Sequence, residues 1–160
     1  MTRDLDVGAR APAFSLAGDD GSQVTLESFK GRNLVLYFYP KADTPGCTRE
    51  AIDFSRLRAA FSKAGTDILG VSADPVPAQE KFKAKHKLTV ALASDESEDR
   101  KMLAAYGAWG EKSMYGRTFM GVTRKTFLID GGGRIVKVWP KVRVDGHAEE
   151  VLEAARALAR

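Results

Sequence analysis

Apolar residues along this chain fall into short unbroken runs and helical stripes that take turns. Asn33-Leu-Val-Leu-Tyr-Phe-Tyr39 is an apolar and aromatic run with no polar alternation, which predicts a strand covered on both faces. Pro40 cannot donate to a ladder and ends it. Thr66–Ser72 predicts a second core strand and Val90–Ala93 a short one. Ala51, Phe54, Leu57, Ala60 and Phe61 recur at helical spacing, predicting one helix from Thr44 or Pro45 to about Ala64, closed by Gly65. Asp74-Pro75 opens a further helix to about His86. Ser97–Tyr106 predicts another, with Met102, Leu103 and Tyr106 inward.

The flanks read differently. Ala13–Leu16 and Gln23–Leu26 bracket Gly18-Asp-Asp-Gly21, predicting an N-terminal hairpin. Glu27–Gly31 predicts a single turn ending on glycine. Residues 107–123 read as a loop rich in glycine and aromatics, with Trp109, Met114, Tyr115, Phe119 and Met120 giving it an apolar character. Lys125–Asp130 and Arg134–Trp139 predict a hairpin across Gly131-Gly-Gly133. Asp145 is placed to cap a last helix whose inner face is Val151, Leu152, Ala155 and Leu158. From residue 33 the order is β-α-β-α, an inserted β-α, then β-β-α, so the class is α/β. One domain over residues 1–160 is expected, with no internal repeat or linker.

Composition narrows the function classes. The chain has 44% hydrophobic and 29% charged residues and a net charge of +4, the profile of a globular protein with a core. Lys81-Phe-Lys-Ala-Lys-His-Lys87 is the most basic string. Its lysines spread around a helix, which predicts a solvated face and no nucleic-acid surface. No run approaches the ~18 apolar residues that span a bilayer, and Met-Thr-Arg-Asp-Leu-Asp at the start lacks the apolar core of a leader. A single cysteine excludes an internal disulfide, and a cytoplasmic location is expected. His86 and His147 fall in no metal or Cys/His pattern and are expected at the surface or at helix caps. No metal or cofactor is expected. Gly131-Gly-Gly133 lacks the strand-turn-helix context of a phosphate loop.

The chemistry concentrates on Cys47. Asp43 or Thr44 can cap the helix, Pro45 suits its first position, and Cys47 lies in the first turn. Free N–H groups and the positive end of the helix dipole favour an anion there. The thiolate is the nucleophilic form of cysteine, and helix N-termini favour it. A lone cysteine is more often a small buried hydrophobe, but the polar, loop-borne Pro40-x-x-x-Thr44-x-x-Cys47 context argues for reactivity.

Pro40, Thr44 and Cys47, in the order P-x-x-x-T-x-x-C, resemble the active-site signature of the peroxiredoxins. The longer string YFYPKADTPGCTREAIDF resembles the bacterioferritin comigratory protein, or peroxiredoxin Q, subgroup. The likeness continues at Trp109-Gly-Glu-Lys, Tyr115-Gly-Arg, Arg124–Asp130 and Gly146-His-Ala-Glu-Glu150. The resemblance implies a thioredoxin-like fold with an N-terminal β-hairpin and an inserted β-α unit. It implies reduction of hydrogen peroxide and organic hydroperoxides by Cys47. It also places Arg124 close to the sulfur, where a rigid guanidinium fork would stabilise thiolate and developing oxyanion together. The Thr44 hydroxyl can accept from a helix N–H and donate to sulfur or peroxide. Pro40 is expected to shape the loop and shield the sulfur. Glu50 is expected either to orient Arg124 or, the preferred reading, to act as a first-turn carboxylate favourable to the helix dipole. Arg117 is a weaker candidate.

One departure from that pattern matters. Many members carry a resolving cysteine five residues after the nucleophile, or on a later helix. Ile52 holds the first position, and the chain has no second cysteine. A one-cysteine cycle follows, in which the sulfenic acid on Cys47 is condensed by an outside thiol from thioredoxin, glutaredoxin or a small molecule. A Cys47–Cys47 bridge between subunits is formally open, and a monomer, or at most a weak dimer, is expected. Two rival readings remain. A thiol–disulfide oxidoreductase would need Cys-x-x-Cys where this chain has Thr44-Pro-Gly-Cys47, and a non-catalytic holdase would carry an unreactive Cys47.

Overall fold

The computed structural model describes residues 5–159, the Met114 side chain excepted. Met1–Asp4, read above for a leader, lie outside the described residues. Among the described residues nine strands are present: β1 Ser15–Gly18, β2 Gln23–Thr25, β3 Asn33–Phe38, β4 Thr66–Ser72, β5 Ala91–Ser94, β6 Trp109–Met114, β7 Arg117–Val122, β8 Lys125–Ile129 and β9 Ile135–Trp139. Five helices accompany them: α1 Pro45–Arg56, α2 Arg58–Lys63, α3 Val76–His86, α4 Lys101–Ala105 and α5 His147–Ala159.

Seven strands form one sheet in the order β2-β1-β5-β4-β3-β8-β9. β3 runs parallel to β4 and antiparallel to β8, which puts the end of β3 beside the start of β8. The run Leu34–Tyr39 is wholly buried because both faces are covered. Val35, Tyr37 and Tyr39 pack with Phe54, Phe61, Phe82, Trp139 and Val151 on the side of α1, α2, α3 and α5. Leu34, Leu36 and Phe38 pack with Leu69, Met102, Tyr106 and Phe127 on the other side. The missing alternation in this stretch therefore has a direct cause: side chains pointing both ways are in core. Among the described residues no helix is long and apolar enough to cross a membrane.

Three predicted elements differ. The long helix breaks at Leu57, which leaves helical geometry with φ −95° and ψ 2°. Thr89 inserts there: its hydroxyl donates to the Ser55 carbonyl at 3.3 Å and its N–H donates to the Ser55 hydroxyl at 3.0 Å. A side chain that takes a carbonyl out of the ladder is a standard cause of a kink. The Ser97–Tyr106 helix shrinks to α4 because Asp95 first closes a turn with Ser97. The same carboxylate then receives the N–H groups of Met102 and Leu103 at 3.1 Å.

The loop expected over 107–123 is a two-stranded hairpin, β6–β7, outside the main sheet. Tyr115 and Gly116 both have positive φ, 54° and 75°, the geometry of a type I′ turn. Its strands carry Glu111, Lys112, Ser113 and Thr118 with little apolar alternation, which concealed them. Asp145 pairs with Arg49 at 2.6 Å, while α5 begins two residues later at His147.

Candidate active site

Two chain crossings build the site. β3 ends, Pro40 stops the ladder, and residues 41–44 turn the chain into α1. Asp43 adopts φ 62°, a left-handed conformation that short acidic side chains tolerate. Its carboxylate pairs with Lys85 and His86 at the end of α3, both at 2.8 Å. The Ala42 N–H donates to Asp74 at 2.7 Å. The turn before Cys47 is thus tied to α3 and to the end of β4.

Cys47 sits in the first turn of α1 and is 1% exposed. The second crossing brings Arg124, between β7 and β8, over it. Arg124 Nη2 donates to Cys47 Sγ at 3.3 Å and Nη1 donates to Glu50 Oε1 at 2.7 Å. One guanidinium fork therefore spans two residues a helical turn apart on α1. Gly46 leaves room for it: a Cβ there would lie 3.2 Å from Nη2.

The expected residues are disposed as follows. The structure brings Cys47, Arg124 and Glu50 together. Glu50 corrects the preferred expectation: it is not a first-turn carboxylate serving the helix dipole but is 1% exposed and paired with Arg124. Burial pushes its acid up to about 7, against the opposing charge and hydrogen bond of Arg124, with Asp53 adding to the rise. Thr44 is the N-cap residue, but its side chain makes no cap bond. The hydroxyl donates backward to the Lys41 carbonyl at 2.7 Å, closing the loop on itself. Pro40 is half-buried at the strand end. Arg117 is exposed at the outer end of β7, seven residues before Arg124 along a nearly extended chain, roughly 20 Å.

One of the two histidines departs from expectation. His147 is buried between the rings of Phe54 and Trp139 and shares a 2.9 Å hydrogen bond with Thr126. Burial lowers its pKa to about 4, so it is neutral. His86 joins the Asp43 tether. Periodicity carried no signal for Gly46, Asp43 or His147, since each acts through a partner distant in sequence. A cavity of about 470 Å³ lies elsewhere, between the 3-10 turn at Leu26–Phe29 and the Gly131–Gly133 turn. Cys47 does not line it. Among the described residues no Cys, His, Asp and Glu cluster could hold a metal.

The fold and site define a class: an α/β protein with one cysteine at a helix start, beyond the end of a central strand, under an arginine fork. The family described as AhpC/TSA matches residues 7–138. A relative in Coxiella burnetii, named putative peroxiredoxin bcp, is 46% identical over 92% of this chain and 97% of its own length. The solved Xanthomonas campestris bacterioferritin comigratory protein is 44% identical, with a TM-score of 0.86 over 92% of each chain. A Xylella fastidiosa PrxQ mutant superposes with a TM-score of 0.91 over 99% of each chain at 36% identity. This chain belongs to the AhpC/TSA family, within its peroxiredoxin Bcp/PrxQ branch.

Proposed function

We propose that the whole chain, residues 1–160, works as one peroxidase domain that reduces hydrogen peroxide and organic hydroperoxides at Cys47 and is recycled by an external thiol. The carrying observation is the 3.3 Å contact from Arg124 to the sulfur. A fixed cation and the free amides of a helix start both favour the thiolate. The thiolate bonds to the hydroxyl-bearing oxygen of the peroxide, the O–O bond breaks, and the other oxygen leaves with the electron pair. The Arg124 fork and the Cys47 N–H oppose the charge that develops. Thr44 spends its hydrogen on Lys41, so its oxygen offers lone pairs to the hydrogen of the peroxide. In this reading Pro40, half-buried at the strand end, is the residue that shields the sulfur.

The product is a sulfenic acid. With one cysteine in the chain, resolution falls to a thiol of thioredoxin type or a small thiol. A solved relative is named for its alkyl peroxide reduction activity, which supports organic hydroperoxides as substrates here. A cytoplasmic monomer is the setting that this reading takes.

Stopped-flow peroxide consumption, with mass spectrometry for the sulfenic acid, tests it. Wild type gives one sulfenic acid per chain, and Cys47→Ser gives none and no turnover. Arg124→Ala slows attack by ~10²–10³, the usual loss for one oxyanion donor. Turnover that survives Cys47→Ser sinks the reading.

A further inference from the structure

Arg124 is one cation serving two groups that can each be an anion. Its Nη1 holds Glu50 and its Nη2 holds Cys47. The two acids of the cluster are nearly sealed, each 1% exposed, and the Arg124 side chain is 18% exposed. Two anions against one cation would leave a net charge out of water, which is costly.

Among the described residues Arg124 is the one cation that acts on Glu50. On α1 the titratable neighbours of Glu50 are Cys47 and Asp53, and on β3 it is Tyr37. His147 faces Arg124 from α5 and is neutral. Glu50 Oε2 is buried with no partner among the described residues, as is the Tyr37 hydroxyl. A bare carboxylate oxygen in that position is unfavourable, whereas a carboxylic acid leaves less charge unsatisfied.

We propose that Glu50 is the proton reservoir of the peroxidase step: it is a neutral acid while Cys47 is a thiolate, and its proton goes to the leaving oxygen as the sulfur becomes a sulfenic acid. This rests on the reading of Cys47 as the peroxide-attacking group. For a peroxide ROOH, the sulfur takes OH and is oxidised, RO departs with the bonding pair, and the Glu50 proton converts it to ROH. Before the step the cluster holds Arg124 and one anion, the sulfur. After it, the cluster holds Arg124 and one anion, Glu50. Its net charge is zero on both sides.

Recycling restores the proton. A first external thiol condenses with the sulfenic acid, releasing water and leaving a mixed disulfide. A second thiol attacks that disulfide, its proton returns to Glu50, and Cys47 leaves as thiolate. A buried acid that ionises near neutrality is matched to giving and retaking a proton at working pH.

The test oxidises the reduced full-length protein with one equivalent of hydrogen peroxide at pH 8, where the neighbouring thiolate keeps Glu50 protonated before the step and its own value of about 7 leaves it ionised afterwards. It follows the buried carboxylic-acid C=O band by infrared difference spectroscopy, proton balance with an indicator dye, and sulfenic acid by mass spectrometry. Wild type loses a carboxylic-acid band on oxidation and takes up no proton. Glu50→Gln shows no such band loss, takes one proton from solvent per sulfenic acid, and attacks ~10²-fold more slowly. A wild-type carboxyl band unchanged by oxidation, or equal proton uptake by the two proteins, overturns the inference while leaving the peroxidase reading intact. Absence of sulfenic acid in wild type overturns that reading, and the reservoir with it. The wild-type band alone decides the matter should Glu50→Gln fold poorly.

Discussion

Gly46 shows how a residue with no side chain acts on the chemistry. It stands at the second position of α1, and the space a Cβ would fill is already bordered by Arg124 Nη2 at 3.2 Å. Gly46→Ala is compatible with the helix and even favours it by propensity. The added methyl instead presses the guanidinium away from a sulfur that it reaches at 3.3 Å. A shift of a few tenths of an ångström weakens and misaligns the hydrogen bond to sulfur without unfolding anything. Gly46→Ala is therefore expected to keep its circular dichroism and melting temperature. Its second-order rate of peroxide attack falls by about tenfold or more. An unchanged rate would show that the fork has slack at this site.

At the scale of elements, the site is a junction held by tethers. Asp43 binds the loop to α3 through Lys85 and His86. Arg49 binds α1 to Asp145 just before α5, and Arg56 binds it to Glu149 in the first turn of α5. Exposed ion pairs contribute little to global stability, but they govern local opening. Cys47 is nearly inaccessible, so a bulky thiol reaches it only when the first turn of α1 moves. Asp43→Asn tolerates the left-handed backbone and drops the charge. It is expected to speed iodoacetamide alkylation of Cys47 and hydrogen exchange at residues 41–48, while the sheet amides stay protected. Alkylation at the wild-type rate would locate the opening elsewhere. The sequence exposed this junction only in part. The β3 run, the Pro40 stop and the Thr44-Pro45 helix start are local signals, and each lies where expected. Arg124 and Glu50 were picked out by family pattern, but the burial of Glu50 depends on α1 packing against β3 and β8. The Leu57 break depends on Thr89, a residue 32 positions away along the chain. The β6–β7 hairpin lacks apolar alternation because Phe119 and Met120 face outward, and its Tyr115-Gly116 turn replaces the usual Asn-Gly.

Across the whole molecule, two buried ionisable groups pull stability in opposite directions with pH. Glu50 in the folded protein titrates at about 7, above its ordinary value of 4.5. It binds more protons folded than unfolded between those values. Its contribution is present below pH 4.5 and lost as pH rises to 7, on the order of 3 kcal/mol. His147 has the reverse sign. Its folded value of about 4 lies below the ordinary 6.5, so its contribution is present above pH 6.5 and lost as pH falls towards 4. The windows overlap between 4.5 and 6.5, where the two slopes oppose each other. Wild type, kept reduced, is therefore expected to show a shallow stability profile there by urea unfolding. Glu50→Gln removes the falling limb and leaves stability rising with pH across the window. His147→Gln removes the rising limb and leaves stability falling with pH. Parallel profiles for wild type and Glu50→Gln would mean that Glu50 is ionised in the folded protein throughout. Arg124 would then be holding two anions at once in the reduced state.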